Sequence, residues 1–303
     1  MSKPRVTLVT GRELPELSED DQVLPPLLEE RGIDVQIAIW DDPDVNWDEA
    51  GLCIIRTVPD YAPRRKEFFE WAHTVPKLLN NPTILEWNSD KHYLHELAGR
   101  GLPTIETTWL EVHQDLSKHQ VHTRFPAGGD FVVKPAVSSG QHSTGRYTAR
   151  EAYSRMAAIQ HAMEILDNGH AAMVQRYLVS MEERGEISLI FFNGLLSHAV
   201  EKDTILDSPN GARPTVHRNR AHPHAITSGE RTRGEDVRAA LHESIKQLLG
   251  RDEQLIYCRI DMVAGDDELE ILEVSLFDCN LYLTSDHKAA EAFADAIAMR
   301  AFW

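Results

Sequence analysis

Two carboxylates near the end of the chain stand where paired strands would bring them together. Arg259-Ile260-Asp261-Met262-Val263 and Leu269–Ser275 flank the turn Gly265-Asp266-Asp267-Glu268. A turn centred on Asp267 sets Asp261 opposite Glu273 on one face of the hairpin. Facing carboxylates repel unless a cation lies between them. Hard oxygen donors of this kind suit Mg²⁺ shared with substrate phosphates. The plainer alternative is a solvated hairpin in which Arg259 neutralises one acid.

Two lysines add to this. Lys134 sits in the apolar run Phe131-Val132-Val133-Lys134-Pro135, and Lys91 follows Trp87-Asn88-Ser89-Asp90. Ser89 or Asp90 is expected to cap a helix, which puts Lys91 in its first turn, where the helix dipole disfavours a cation. The loop Ser138-Ser139-Gly140-Gln141-His142-Ser143-Thr144-Gly145 lacks the Gly-Lys-Ser/Thr of a P-loop, yet its small residues allow backbone N–H groups to approach phosphate. Taken together, the lysines, loop and carboxylate pair make a triphosphate clamp. Each element alone has an ordinary reading: an edge lysine reaching solvent, a mobile loop, a solvated turn.

Segment 207–234 carries Arg213, Arg218, Arg220, Arg231 and Arg233 with His217, His222 and His224, against Asp207 and Glu230 alone. So cationic a loop points to a small anion such as a carboxylate or phosphate. Zinc on the three histidines is a weaker reading, because neither a regular element nor a cysteine supports them.

The elements that must position these groups follow from periodicity. Val6–Thr10, Val35–Trp40 and Leu52–Arg56 read as strands, with helices around Gln22–Arg31 and Pro63–His73. Alternation of this kind implies a parallel sheet. Further on, Phe131–Pro135, Ala172–Arg176, Glu186–Phe192 and Leu195–Val200 read as strands, the last two joined at Asn193-Gly194. Helices are expected over Arg150–Asn168, over Glu235–Leu249 and from Ser285, while 203–234 has no regular period.

The whole chain has 303 residues, 42% hydrophobic and 26% charged, with a net charge of −17. That length and composition describe a folded protein of more than one unit. An acidic balance argues against nucleic acid or an anionic membrane as partner. No stretch approaches the roughly 20 apolar residues of a membrane span, and the apolar run at the N-terminus is too short for a signal peptide. The three cysteines, Cys53, Cys258 and Cys279, include no CxxC pair, so neither a disulfide framework nor a thiolate zinc site is supported. A cytoplasmic location is the expectation.

These pieces stand in the order found in the ATP-grasp superfamily, which the sequence resembles over roughly 80–285. The resemblance lies in Trp87-Asn88-Ser89-Asp90-Lys91, Val132-Val133-Lys134-Pro135, Gly185-Glu186-Ile187-Ser188, Arg259-Ile260-Asp261 and Leu272-Glu273-Val274. Within the superfamily, Arg56, Asp60-Tyr61, Ser138-Ser139-Gly140 and Asn280-Leu281-Tyr282-Leu283 are similar to a glutathione-synthetase-like branch that includes cyclo-ligases. The resemblance implies an α/β (α+β) ATP-grasp fold. A small N-terminal parallel domain (1–87) would precede two subdomains, 88–174 and 175–303, that clamp ATP between them.

It also implies roles. Lys91 and Lys134 would hold phosphate oxygens under a loop containing Ser138, Ser139 and Gly140. Gln175, Arg176 and Leu178 would belong to the hinge that reads adenine, and Glu183 would take the ribose, with Glu182 and Glu186 close by. Asp261 and Glu273 would bind Mg²⁺; Ser275 replaces the usual Asn, and Asp278 could compensate. Arg218, Arg220 or Arg259 would neutralise an acyl-phosphate. The implied enzyme is an ATP- and Mg²⁺-dependent carbon–nitrogen ligase acting on a small amino acid, and a homodimer is compatible with it. Its finest form is ring closure of O-ureido-D-serine to D-cycloserine. The alternatives are a ligase joining an amino acid to an amine or second amino acid, a nucleotide-binding module without catalysis, and a metal-dependent hydrolase built on the carboxylates and histidines.

Overall fold

The protein's computed structural model describes residues 3–139, 143–203, 221–266 and 268–303. In chain order its elements begin β1 (Arg5–Thr10), α1 (Leu24–Glu30), β2 (Asp34–Ile39), β3 (Leu52–Thr57), α2 (Arg65–Ala72), β4 (Leu78–Leu79), α3 (Pro82–Asn88) and α4 (Tyr93–Gly99). There follow β5 (Thr107–Leu110), α5 (Lys118–Arg124), β6 (Asp130–Pro135), β7 (Gly145–Thr148), α6 (Ala152–Asp167), β8 (Ala172–Arg176) and α7 (Ser180–Arg184). The chain continues through β9 (Glu186–Phe192), β10 (Leu195–Lys202), β11 (Ala221–Pro223), α8 (Ser228–Leu249), β12 (Tyr257–Ala264), β13 (Leu269–Ser275) and α9 (His287–Ala301).

Three sheets result. The first, β2-β1-β3-β4, is wholly parallel, as the strand–helix alternation requires. The second, β5-β8-β6-β7, and the third, β11-β10-β9-β12-β13, are antiparallel. Asn193 and Gly194 both take positive φ, 45° and 77°, at the β9–β10 turn, which matches the twist of a tight hairpin.

Side chains on β9 alternate between two cores. Leu189 and Phe191 pack with Ile260, Val237, Leu241 and first-sheet residues such as Ile55; Ile190 and Phe192 pack with Tyr257, Phe293, Val6 and Leu8. The first and third sheets thus share two continuous cores. The second sheet keeps most of its apolar contacts to itself, with Leu110, Phe131, Val133, Tyr147, Ala162 and Val174 packed under α5 and α6. Separate burial of this kind lets a unit shift as a body over its neighbours.

Two sequence expectations change. Lys91 is not in the first turn of a helix: Trp87 and Asn88 end α3, Ser89 follows it, and α4 starts only at Tyr93. The helix begins earlier because the Asn81 side chain accepts from the Thr83 N–H at 3.0 Å and Pro82 is pre-set for a first helical position. Likewise α8 starts at Ser228 rather than Glu235. Thr227 and Glu230 form a reciprocal capping box, with bonds of 3.2 and 2.8 Å. Gly229 and Gly234 masked this start in the sequence, and Gly234 has a packing reason: a Cβ there would come within 2.5 Å of Leu189 Cδ1. Arg231 and Arg233 therefore belong to a helix, and Arg233 pairs with Glu268.

Among the described residues, no helix is long and apolar enough to cross a membrane. All three cysteines are buried and unpaired.

Candidate active site

A cavity of about 330 Å³ opens where side chains from all three units converge. Its floor is the β12–β13 hairpin. Asp261 pairs in register with Glu273, and a bulge follows immediately after Asp261. The two acids then meet different surroundings. Asp261 is 1% exposed and accepts from Arg259 Nη2 at 2.8 Å, Arg259 Nε at 3.0 Å and Ser188 Oγ at 2.5 Å. Lys202 Nζ lies 3.4 Å away and also bonds Glu186. Burial alone would raise the Asp261 carboxyl, but Arg259 and Lys202 overcome it and hold it at about 2. Glu273 keeps a side chain about one-third exposed, 3.3 Å from Lys91. Its burial is likewise outweighed, here by Lys91 and Lys134, so it sits below the usual glutamate range.

Arg259 thus neutralises one acid, as the plainer reading of the hairpin held, yet the hairpin is buried at this point rather than solvated. Ser275 faces Arg259 across the strands, its Oγ 3.5 Å from Nη2. Among the described residues no group of three or more His, Cys, Asp or Glu could cage a metal ion. Glu273, Asp261 and Ser275 are all oxygen donors. So few protein donors, all of them hard, fit an ion that completes its shell with water and substrate phosphate rather than a closed protein cage.

The wall above is built by period-2 alternation along β6. Phe131 and Val133 enter the core of the second sheet, so Val132 and Lys134 face the cavity. Lys134 is 9% exposed and has no ion pair among the described residues. Burial, then the nearby Lys91 charge, pushes its ammonium down to about 8. Lys91 is fastened from the opposite side. Its backbone N–H bonds Ala136 O at 3.0 Å, and its Nζ donates to Ser138 Oγ at 3.0 Å. Two buried ammonium groups facing one cavity are costly by themselves and complementary to a polyanion.

Ser138 and Ser139 are tied down by contacts outside their own loop. Tyr61 donates to Ser138 O at 3.2 Å, and Ser139 Oγ donates to Asp278 Oδ2 at 2.5 Å. At the far end, Gln175, Arg176 and Leu178 line the cavity with the apolar side chains of Ile105, Met181 and Leu272. Gln175 is anchored to Thr107 Oγ1 at 2.8 Å, and Arg176 pairs with Asp266 at 2.9 Å.

Of the expected site residues, Lys91, Lys134, Ser138, Ser139, Gln175, Arg176, Leu178, Arg259, Asp261, Glu273 and Ser275 all line this cavity. Glu183 does not; it is exposed on α7, while Glu186 does reach the cavity. Gly140, Arg218 and Arg220 lie outside the described residues, as does His217. His222 is exposed, and His224 is held by Glu230 and Glu201 at 3.0 and 3.4 Å.

Several contributors carried little sequence signal. Lys202 ends an alternating strand, the one cue for its inward aim. Asn88 and Tyr93 cover the outer edge of β13. Asn88 bonds Val274 O and Leu276 N–H at 2.9 and 3.0 Å, and the Tyr93 hydroxyl bonds both the C=O and the N–H of Val274 at 2.9 and 2.8 Å. These contacts fix the strand that presents Glu273.

Comparison with known proteins places this geometry. The D-cycloserine synthetase DcsG N-terminal domain family matches residues 6–80. The cycloserine biosynthesis protein DcsG of Streptomyces lavendulae is 32% identical over 293 residues, covering 92% of this chain and 94% of that protein. The crystal structure of D-cycloserine synthetase DcsG superposes with a TM-score of 0.81 at 28% identity, covering 98% of this chain and 99% of that one. A Bacillus anthracis D-alanine–D-alanine ligase complexed with ATP shares the fold at a TM-score of 0.62 and 13% identity, over 99% of this chain and 97% of that one.

Proposed function

The chain belongs to the D-cycloserine synthetase family, an ATP-grasp ligase family, and from that premise we propose that it closes O-ureido-D-serine to D-cycloserine at the expense of ATP. The observation that carries this reading is the convergence of Lys91, Lys134 and Glu273, from three separate elements, on one cavity.

In this reading ATP supplies the γ-phosphoryl group that turns the substrate carboxylate into an acyl phosphate, ADP leaves, and Mg²⁺ would neutralise phosphate charge. Lys91 and Lys134 hold phosphate oxygens, and the loop bearing Ser138, Ser139 and Gly140 covers them. Adenine occupies the slot beside Leu178, reached by the backbone of Gln175 and Arg176. The ribose goes to an acid of the α7–β9 region, where Glu186 reaches the cavity and Glu183 does not. Asp261, Glu273 and Ser275 hold Mg²⁺. Arg259, already turned toward the hairpin face, neutralises charge as phosphate departs, and Arg218 and Arg220 are proposed for the same task.

The ureido nitrogen of the same molecule then attacks the activated carbonyl. The N–C bond forms, phosphate leaves, and the nitrogen loses its proton; water removes the carbamoyl group as CO₂ and ammonia. Because nucleophile and electrophile share one molecule, the site has only to fold the substrate into an attack geometry. Residues 88–174 act as the lid over 175–303, beside an N-terminal domain of 1–87. A small amino-acid substrate and an ATP supply both fit a cytoplasmic protein.

The test is ADP release with Mg²⁺-ATP and O-ureido-D-serine, with the product followed by mass. One ADP per D-cycloserine is the expected result. ADP release that requires an added amine, with a joined product, would replace ring closure by an intermolecular reaction.

A further inference from the structure

Among the described residues, four partly or fully buried carboxylates line the cavity, and three of them have an ion pair. Asp261 is paired with Arg259, Glu273 with Lys91 and Glu186 with Lys202. Asp278 has no ion pair among the described residues. Its Oδ1 accepts from the Val58 N–H at 2.7 Å and its Oδ2 from Ser139 Oγ at 2.5 Å, both neutral donors. The Arg56 charge favours its ionised form but makes no bond to it: Nε bonds Asp21 at 2.9 Å and Nη2 bonds Cys279 O at 3.1 Å. Asp203 also lines the cavity, but it is solvent-exposed and its charge needs no partner.

A carboxylate beside a cavity with no ion pair among the described residues calls for an explanation that its hydrogen bonds do not provide. Asparagine could bond the same partners, its Oδ1 accepting from the Val58 N–H and its Nδ2 donating to Ser139 Oγ. The backbone asks for no charge either: φ is +47° at Asp278, a conformation asparagine adopts at least as easily. Burial raises this carboxyl to about 6 against the Ser139 and Val58 bonds, so the negative form is present at neutral pH at a real cost.

We infer that Asp278 receives the α-ammonium of the amino-acid substrate, an inference that rests on the ligase reading above. The placement fits the chemistry. Ser139 bonds Asp278 while its neighbour Ser138 bonds Lys91, which in turn meets Glu273. An amino acid whose ammonium lies at Asp278 has its carboxylate one carbon further on, toward the Lys91 side where phosphoryl transfer is proposed. Asp278 also sits where the units meet, joined to Val58 after β3 and Ser139 after β6, so substrate bound here contacts the lid's anchor.

The experiment compares Asp278→Asn with wild type on O-ureido-D-serine and on its deamino analogue, 3-(ureidooxy)propanoate, at saturating Mg²⁺-ATP. Asparagine keeps the Val58 bond through Oδ1 and reverses the Ser139 bond, with Nδ2 donating to Oγ, so both anchors remain and the fold is retained; Ser139→Ala serves as the control for loop anchoring. The expected result is a loss in kcat/KM of at least about tenfold on the amino substrate, carried by KM. On the analogue, variant and wild type are equal within about twofold, and KM for ATP is unchanged. Ser139→Ala lowers both substrates alike. Equal losses on both substrates for Asp278→Asn, or no loss on either, would overturn the assignment. If wild type makes no product from O-ureido-D-serine, the substrate reading itself falls and takes this assignment with it.

Discussion

The ammonium of Lys91 lies 3.3 Å from Glu273 Oε1, joining a residue from the α3–α4 junction to one on the outer strand of the third sheet. One partner is proposed for phosphate and the other for metal. The contact brings the two halves of the proposed ATP site within direct reach, and it separates Glu273 from Asp261, its neighbour across the hairpin. Both acids line the cavity, but Asp261 is paired with Arg259 and Lys202 and is 1% exposed, whereas Glu273 keeps about a third of its side chain exposed.

That difference makes two similar substitutions behave differently. Asp261→Asn leaves Arg259 and Lys202 short of a buried negative charge and is expected to cost about 3–5 kcal/mol, read by urea denaturation. Glu273→Gln, whose own side chain is partly exposed but whose partner Lys91 is buried, is expected to cost less, about 1–3 kcal/mol, yet to lower turnover at least about 100-fold. Equal stability losses would show that the two acids share one environment.

Acid titration gives a second reading of Asp261. Its folded-state value, about 2, lies below that of a free aspartate. Its stabilising contribution is therefore complete above the free aspartate range and is lost as pH falls toward 2. Wild type should lose stability steeply over that interval and Asp261→Asn much less, measured as urea midpoints at pH 5, 4 and 3. Parallel losses would remove the pair from the stability account.

Lys134 carries the opposite sign. Burial and the Lys91 charge lower it to about 8, so holding its charge opposes folding fully below pH 8, and this cost fades as pH rises through 8 toward the usual lysine range. Lys134→Met should leave the ligand-free melting temperature at pH 7 unchanged or higher while lowering turnover at least about 100-fold. Phosphate oxygens should restore the proton, so nucleotide binding at pH 8.5 takes up protons in wild type and takes up fewer in the variant. Calorimetry in two buffers of different ionisation enthalpy reads this directly, and equal uptake in both proteins would contradict it.

Tyr93 tests the support behind Glu273. Its hydroxyl bonds both backbone groups of Val274, and Tyr93→Phe strands the Val274 N–H against an apolar ring, while the C=O keeps its bond from Asn88. The expected cost is about 1–3 kcal/mol, with a several-fold fall in kcat as the strand bearing Glu273 loosens. Unchanged stability and turnover would mean that Asn88 alone secures the strand edge.

Much of this protein is determined locally. The Asn193-Gly194 turn and the alternation along β6 that turns Lys134 away from the apolar core follow from backbone geometry within a few residues. The pairing of Asp261 with Glu273 does not: next to the turn Met262 faces Ile271, a register that would set Asp261 against Leu272, and the bulge after Asp261 shifts it to Glu273. Where local cues were mixed, the reading slipped. Pro82 behind Asn81 started a helix before the expected cap, and glycines hid the first turns of α8. Tertiary structure alone decided which acid is paired with Arg259 and which faces Lys91, that Glu186 rather than Glu183 reaches the cavity, and that Asp278 has no ion pair among the described residues. The reason is physical: pattern within a segment determines which way a side chain points, whereas the charge it meets, and the burial that makes that charge matter, come from segments far away in the chain.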